Sequence, residues 1–568
     1  MQITLNGVTG NRPAQVITFK NPLQATNTYF PQVDGDKFAS SNKPLVKVRQ
    51  FGTSGYRAIG EEFESAVPQL TTAVSDYLIR EMKKTGEVLP ILVGGDTRPV
   101  THKHKMTVAL QLLAKGFDVY VDEAQLPTPV LAYAAKHFNQ LGKSSKKAAG
   151  SILLTASHNP WPYGGFNFLT NDGEVAPTPI TKELEKLQAN PLNLKLDRTG
   201  KMDQMLPSLF DAYLGHIDKL IDFDKIREAK IGINFDPMYG AATRFFPDMM
   251  AERQIPISTI NESPKRPKTI HANGPDPTAA NLGDLAKLVR DDKKSNSLRV
   301  GLANDGDADR FGVLDETGKF IQPNDVLLLT LHHLANNKNR SGIVVRSQAT
   351  SHILDEVAKR YGMEVVETPV GYKYIAEIFK EHPVESPRPV VLGGESSGGL
   401  SIYGHIPEKD GLIANLSMLE LMAYEKKPLG QILKDIKAGL PKKFSFTELA
   451  ITTDKKDDLS DYFAKMAKEG GKINGVDVDV ELTQKNAAKL SEKFHTTDGT
   501  KLYLKDGSWL LSRKSGTEPM ARIYYELTAD SDKALAEKRD SMMKYVNNLL
   551  TSEPFKIDAK SIKVKLDE

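Results

Sequence analysis

Residues 390–395 read VVLGGE, an apolar run that ends in two glycines and a carboxylate. The same arrangement stands at 91–96, ILVGGD, and at 300–306, VGLANDG. A short continuous apolar run bounded by turn residues reads as a buried strand, and each of these three runs into a Gly- or Asn-rich acidic turn. Between them lie stretches with helical spacing. Residues 103–115 carry Met106, Val108, Leu110, Leu112 and Leu113, and 245–250 and 353–361 read the same way. Further apolar runs at 119–121, 151–154, 231–235, 342–345 and 365–366 supply more strands. Strands alternating with helices of this length build α/β units on at least partly parallel sheets. After about Leu440 the pattern changes. A helical stretch at 459–468 precedes two runs, 501–504 and 509–512, that flank a hairpin-type Asp506-Gly507 turn. Residues 522–527 alternate like a strand and 533–550 have helical periodicity, which makes an α+β unit of a different kind.

The expected architecture is therefore α/β: three similar α/β domains with mixed sheets plus a C-terminal α+β domain. The divisions expected are an N-terminal extension at 1–45, then 46–225, 226–335, 336–440 and 441–568. The extension is rich in Asn, Gln, Thr and Pro, holds at most one short hairpin, and is given no function. A length of 568 residues agrees with four domains at about 150 residues each.

Lysine plus arginine number 75 against 72 aspartate plus glutamate, a net charge of +3. That balance argues against a nucleic-acid or membrane-surface partner. There is no cysteine, which excludes disulfides, thiolate nucleophiles, zinc–cysteine sites and iron–sulfur clusters. Any metal must sit on oxygen or imidazole, which points to a hard cation such as magnesium. Residues 1–19 lack a cationic segment followed by an apolar one, and no apolar run approaches the roughly 20 residues of a spanning helix. The expectation is a cytoplasmic protein.

Five motifs carry chemistry. TASHNP at 155–160 follows an apolar strand, and a serine there on an exposed, rigid loop suits a nucleophile or covalent carrier; an ordinary turn has the same composition. NDGDADR at 304–310 alternates Asp305, Asp307 and Asp309, and an extended loop would aim all three carboxylates one way. Such carboxylates repel unless a cation neutralises them. A calcium EF-hand counted from Asp305 puts Arg310 where glycine is required, between flanks that read as strands. GGESSGG at 393–399 offers a carboxylate and hydroxyls suited to sugar hydroxyls. RKSGTEP at 513–519, with Arg522 beyond it, has the ingredients of a phosphate cradle, and FGTSGYR at 51–57 has similar ones.

In their order along the chain, from FGTSGYR to RKSGTEP, the five motifs resemble those of the α-D-phosphohexomutase superfamily, the phosphoglucomutase and phosphomannomutase enzymes, over roughly residues 46–550. The resemblance implies four domains around a central cleft. It implies that Ser157 carries a phosphoryl group and that a phosphoserine oxygen joins Asp305, Asp307 and Asp309 in holding Mg2+. Glu395 and Ser397 match sugar-hydroxyl readers. Arg513, Ser515, the Gly516 amide and Thr517 match the site of the non-reacting phosphate. Arg57, His158 and Arg310 match basic positions at the reaction centre, and Lys373 in TPVGYKYI matches a sugar-loop position. The implied reaction passes the phosphoryl group from Ser157 to a hexose 1-phosphate, through a hexose 1,6-bisphosphate that also serves as activator. The substrate is a small phosphosugar and the protein a monomer or dimer.

The chain also departs from the family pattern. Asn167 stands where lysine is usual, leaving His158 or Lys373 as the base. Lys514, Gly399 and Ala58 replace a small residue or proline, a histidine and a glycine. The wording of 51–57 and 368–375 favours glucose, with mannose possible. The alternatives are a phosphoglucosamine mutase and a non-catalytic phosphosugar-binding homologue. A magnesium-dependent phosphatase is a third, if Asn167 admits water. A hinge of the C-terminal domain is expected near Leu440.

Overall fold

The computed structural model describes residues 51, 55–122, 125–140, 146–204, 207–262, 274–292, 298–515 and 519–566. The extension at 1–45, residues 52–54 of the FGTSGYR motif, and Gly516 and Thr517 of the phosphate motif lie outside the described residues.

Four large sheets follow one another along the chain. In the first, strand Ile91–Gly95 runs parallel to Val119–Val121 on one side and Gly150–Leu154 on the other. Strand Tyr163–Thr170 returns antiparallel to Gly150–Leu154 and carries Tyr56–Ile59 at the edge. The second sheet sets Gly232–Asp236 parallel to Ile257–Thr259 and Arg299–Asn304, and Phe311–Leu314 returns antiparallel. The third sets Ile343–Ser347 parallel to Glu364–Thr368 and Val390–Glu395, and Gly399–Ile402 returns antiparallel. All three are mixed sheets with one shared device: a buried parallel strand ends, the chain makes a loop, and an antiparallel strand comes back beside it. Those three loops carry TASHNP, DGDADR and ESSG.

The strands read as continuous apolar runs because helices cover both faces; Val391 and Leu392 are fully buried. The apolar stretch at 326–331 is the middle of helix Pro323–His332, which proline starts at its first position. Helix Pro99–Ala114 begins four residues before the expected 103 for the same reason. The C-terminal sheet is antiparallel throughout, Lys443–Thr452 pairing with Met520–Ala529 and Ile562–Leu566, and Trp509–Lys514 with Met520–Ala529 and Thr500–Tyr503. Helices Lys456–Glu469 and Asp532–Thr551 pack on it.

The expected division 225/226 lies in helix Phe223–Ala229, and 335/336 in the helical turn His333–Asn337. The 440/441 division falls between helix Leu429–Ala438 and strand Lys443–Thr452. One apolar cluster joins a face of the first sheet to the second and third, through residues such as Leu131, Phe235, Leu327 and Leu419. The C-terminal sheet has a core of its own around Phe463, Ile523 and Val546. No helix among the described residues is long and apolar enough to cross a membrane.

Candidate active site

The serine loop is not exposed. Ser157 is 3% accessible, because strand Gly150–Leu154 delivers it into the space between the first and second sheets. Its backbone is left-handed, with φ of 50°. Ser157 Oγ donates to Asp305 Oδ2 at 2.8 Å and stands 3.3 Å from His158 Nδ1. Close packing holds the loop from outside: a Cβ on Gly306 would come within 2.6 Å of the Ser157 carbonyl oxygen, and one on Gly274 within 2.3 Å of the His158 carbonyl oxygen.

Asp305, Asp307 and Asp309 converge, with carboxylate oxygens within 4.8 Å of one another. They do not do so by extended alternation. Residues 305–310 form a tight turn, Ala308 taking a left-handed φ of 61°, and Asp305 Oδ1 closes it by accepting the Arg310 amide at 3.0 Å. The first domain contributes Thr128, whose hydroxyl donates to Asp307 Oδ2 at 2.9 Å. The third contributes the Gly411 amide, which donates to the Ala308 carbonyl at 3.1 Å.

Burial, then repulsion from Asp307 and Asp309, pushes the Asp305 carboxyl well up; burial and Asp309 raise Asp307 to about 6. Burial would raise Asp309 too, but Lys409 and Arg310 hold it below the usual aspartate value. Asp307 Oδ1 and Asp309 Oδ1 are buried without a hydrogen-bond partner. Three buried, converging carboxylates, two of them with an oxygen that lacks a hydrogen-bond partner, fit a hard divalent cation, so these residues could hold magnesium.

Lys409 is the residue that the motif reading missed. It is buried and ion-paired with Asp309. Burial alone would lower its ammonium, but Asp309 and Glu408 raise it above the usual lysine value. A signal for its neighbour existed: Asp410 precedes the apolar run 411–423 as an N-cap would, and its carboxylate accepts the Leu412 and Ile413 amides.

The basic positions gather here. Arg57 Nη1 donates to Asn159 Oδ1 at 2.5 Å, and Arg310 Nε lies 3.9 Å from Asp309 Oδ1. The His158 imidazole is held well below its ordinary value by burial, then by Arg310, Arg57 and Lys409, which favours its neutral form. Asn167 is structural: its Nδ2 donates to the Thr155 carbonyl at 3.3 Å, and its buried Oδ1 packs where a Cβ on Gly55 would stand. Lys409 supplies a buried ammonium from the third domain instead.

Lys373 sits elsewhere. Its Nζ donates to Thr178 Oγ1 at 2.7 Å, and its charged neighbours are Asp498, Glu377 and Lys182. In the sugar motif Glu395 is buried and accepts the Gly371 amide at 2.9 Å, while Ser397 is exposed. The Gly398 carbonyl accepts the Phe311 amide at 3.2 Å, which fastens this loop to the acidic turn. In the C-terminal domain Arg513 bonds Asp498 through Nη2 at 2.6 Å, and the Ser515 amide donates to Met520 at 2.8 Å. The Arg513 charge reaches Glu395 and the Arg522 charge reaches His158, so this domain faces both loops across the cleft.

Models of the phosphoglucomutase/phosphomannomutase family match the chain in four consecutive pieces: alpha/beta/alpha domain I at 48–193, domain II at 211–318, domain III at 322–438 and the C-terminal domain at 464–544. The chain belongs to this family. Its enzymes are intramolecular phosphotransferases, and the serine loop, acid triad and cleft described here are the parts such an enzyme needs.

A phosphoglucomutase/phosphomannomutase of Thermococcus kodakarensis is 29% identical over 488 residues, 84% of this chain and 95% of the relative. A Methanopyrus kandleri protein named "Probable phosphoglucosamine mutase" is 28% identical over 507 residues, 88% of this chain and 98% of the relative. Five more relatives of that name match at 27–29% identity. The open form of parafusin, a phosphoglucomutase from Paramecium, shares the fold at a TM-score of 0.71 and 21% identity, covering 91% of this chain and 98% of its own.

Proposed function

We propose that the protein interconverts the 1- and 6-phosphates of a hexose through a phosphoserine at Ser157. One observation carries this reading: a buried serine hydroxyl bonded to Asp305, beside Asp307 and Asp309 carboxylate oxygens that lack hydrogen-bond partners. Ser157 Oγ holds the phosphoryl group. Asp305, Asp307 and Asp309 would hold a divalent cation, which supplies charge neutralisation to the phosphoryl oxygens when bound.

Arg57, Arg310 and Lys409 are cations placed to balance the same charge. The sugar hydroxyl loses its proton to His158, whose neutral form is favoured and which is adjacent to Ser157; Lys409, kept protonated by Asp309, donates rather than accepts. Glu395 and Ser397 read sugar hydroxyls. Arg513 and Ser515, with the Gly516 amide and Thr517, grip the phosphate that does not react. Lys373 lines the wall between this grip and the first domain. A hexose 1,6-bisphosphate formed in the cleft also primes the enzyme.

Glucosamine phosphate is the hexose placed first. Six relatives named probable phosphoglucosamine mutases match 84–89% of the chain at 27–29% identity, beside one named for glucose and mannose at 29% and one named phosphoglucomutase at 26%, which supports glucosamine ahead of the glucose preference drawn from motif wording. Turnover of glucosamine 1-phosphate, glucose 1-phosphate and mannose 1-phosphate to the 6-phosphates, with magnesium and a trace of the bisphosphate, tests the proposal. Activity on glucosamine phosphate above the others, lost in Ser157→Ala, is expected. A glucose preference would correct the sugar, and turnover surviving Ser157→Ala would refute the mechanism.

A further inference from the structure

The GGD turn at 94–96 resembles the other acidic turns, yet the reaction described above gives it no task. The structure supplies one. Asp96 and Arg98 are buried and ion-paired, Arg98 Nε donating to Asp96 Oδ2 at 2.9 Å. A guanidinium has five N–H donors in a fixed plane. The remaining four reach only backbone carbonyls of the serine loop: Nη2 to Ser157 at 2.5 Å and Asn159 at 2.6 Å, Nη1 to Pro160 at 2.7 Å and Tyr163 at 3.4 Å.

Asp96 completes the frame. Its Oδ1 accepts the Arg98 amide and Thr101 Oγ1, and its Oδ2 also accepts Thr155 Oγ1 at 2.7 Å. Thr155 Oγ1 in turn accepts the Ser157 amide at 2.9 Å. Ser157 is thus held at both its amide and its carbonyl, in a left-handed conformation that a serine does not keep unaided.

We infer that Arg98, oriented by Asp96, is the positioning residue of the phosphoserine: it fixes the loop backbone so that Ser157 Oγ faces Asp305. This rests on the mutase reading of the site. Arg98 touches no reacting atom, and it acts by removing freedom from the group that does. Lysine keeps the charge but has one nitrogen where five directed donors are needed, so charge and geometry can be separated.

The test compares wild type, Arg98→Lys and Arg98→Met in steady-state turnover, thermal melting and amide hydrogen exchange. Both variants are expected to lose about 100-fold in kcat with little change in KM. Amides of 155–160 should exchange faster while strand Gly150–Leu154 stays protected. Arg98→Lys with wild-type kcat and unchanged exchange in the loop would overturn the inference, as would a loss of activity matching only the unfolded fraction. If neither variant folds, Thr155→Val cuts the second tie to the Ser157 amide and must show the same split between kcat and KM. A wild type without turnover on any hexose phosphate would fault the mutase reading alone, since the exchange result still decides whether Arg98 holds the loop.

Discussion

At the scale of single residues, the centre is built by contacts between side chains far apart in sequence. Ser157 meets Asp305, and Lys409 meets Asp309. Lys409→Met removes the partner of a buried carboxylate and leaves that carboxylate uncompensated. Its kcat should fall about 100-fold or more while the fold survives, as circular dichroism and stopped turnover would show together; near-native kcat would remove Lys409 from the centre. Ser157 and the aspartates were legible because the residue types and their spacing are local. Lys409 was not, since nothing within its own segment reveals a partner in the second domain. The lowered basicity of His158 was equally hidden, because it depends on burial and on Arg310 and Arg57 arriving from other segments.

At the scale of elements, the strand–loop–return device recurs in three domains and brings three loops to one place. The strands could be read from apolar runs and the loops from glycine and acid. The shape of the acidic turn could not, because convergence depends on the left-handed Ala308 and not on alternation. Helix Gly60–Thr85 was passed over although Phe63, Val67, Leu70, Val74 and Leu78 repeat at helical spacing, since Pro68 within it mimics a stop signal.

Two substitutions test the device. Gly306→Ala forces a methyl against the Ser157 carbonyl oxygen, so it should destabilise by about 1–3 kcal/mol and depress kcat beyond that loss. Asp410→Ala removes the cap of helix Gly411–Glu425 together with bonds from Tyr213 and His405. It should cost about 2 kcal/mol or more in urea denaturation, and an unchanged midpoint would deny the cap its role.

At the scale of the whole molecule, the C-terminal domain meets the third through two small apolar clusters, Leu490 and Phe494 against Ile375 and Ile378, and Trp509 and Phe446 against Ala349, and through buried polar groups between them. Lys501 donates to Glu367 at 2.7 Å and to the Gln348 carbonyl at 2.8 Å. Glu526 accepts Ser351 Oγ, the His352 amide and Trp509 Nε1. Burial raises Glu526 from 4.5 to about 7, so the folded protein favours its protonated form. The associated penalty is absent at low pH, grows as pH rises from the unfolded value, and is complete above about 7. Glu526→Gln should therefore melt higher than wild type at about pH 8 and close to it at about pH 5; a difference that does not shrink on acidification would contradict this.

The hinge expected near Leu440 is a proposal: cleavage there by a protease should slow when a bisphosphate closes the cleft. Equal rates with and without it would remove the hinge. The most direct measurement of the central claim follows the phosphoryl group itself. Protein primed with glucose 1,6-bisphosphate and magnesium, then stripped of it, should carry one phosphoryl group on Ser157 by mass spectrometry. Adding a hexose monophosphate should discharge it with formation of an equal amount of bisphosphate. Protein that stays unphosphorylated at Ser157, or that releases inorganic phosphate instead, would contradict the account.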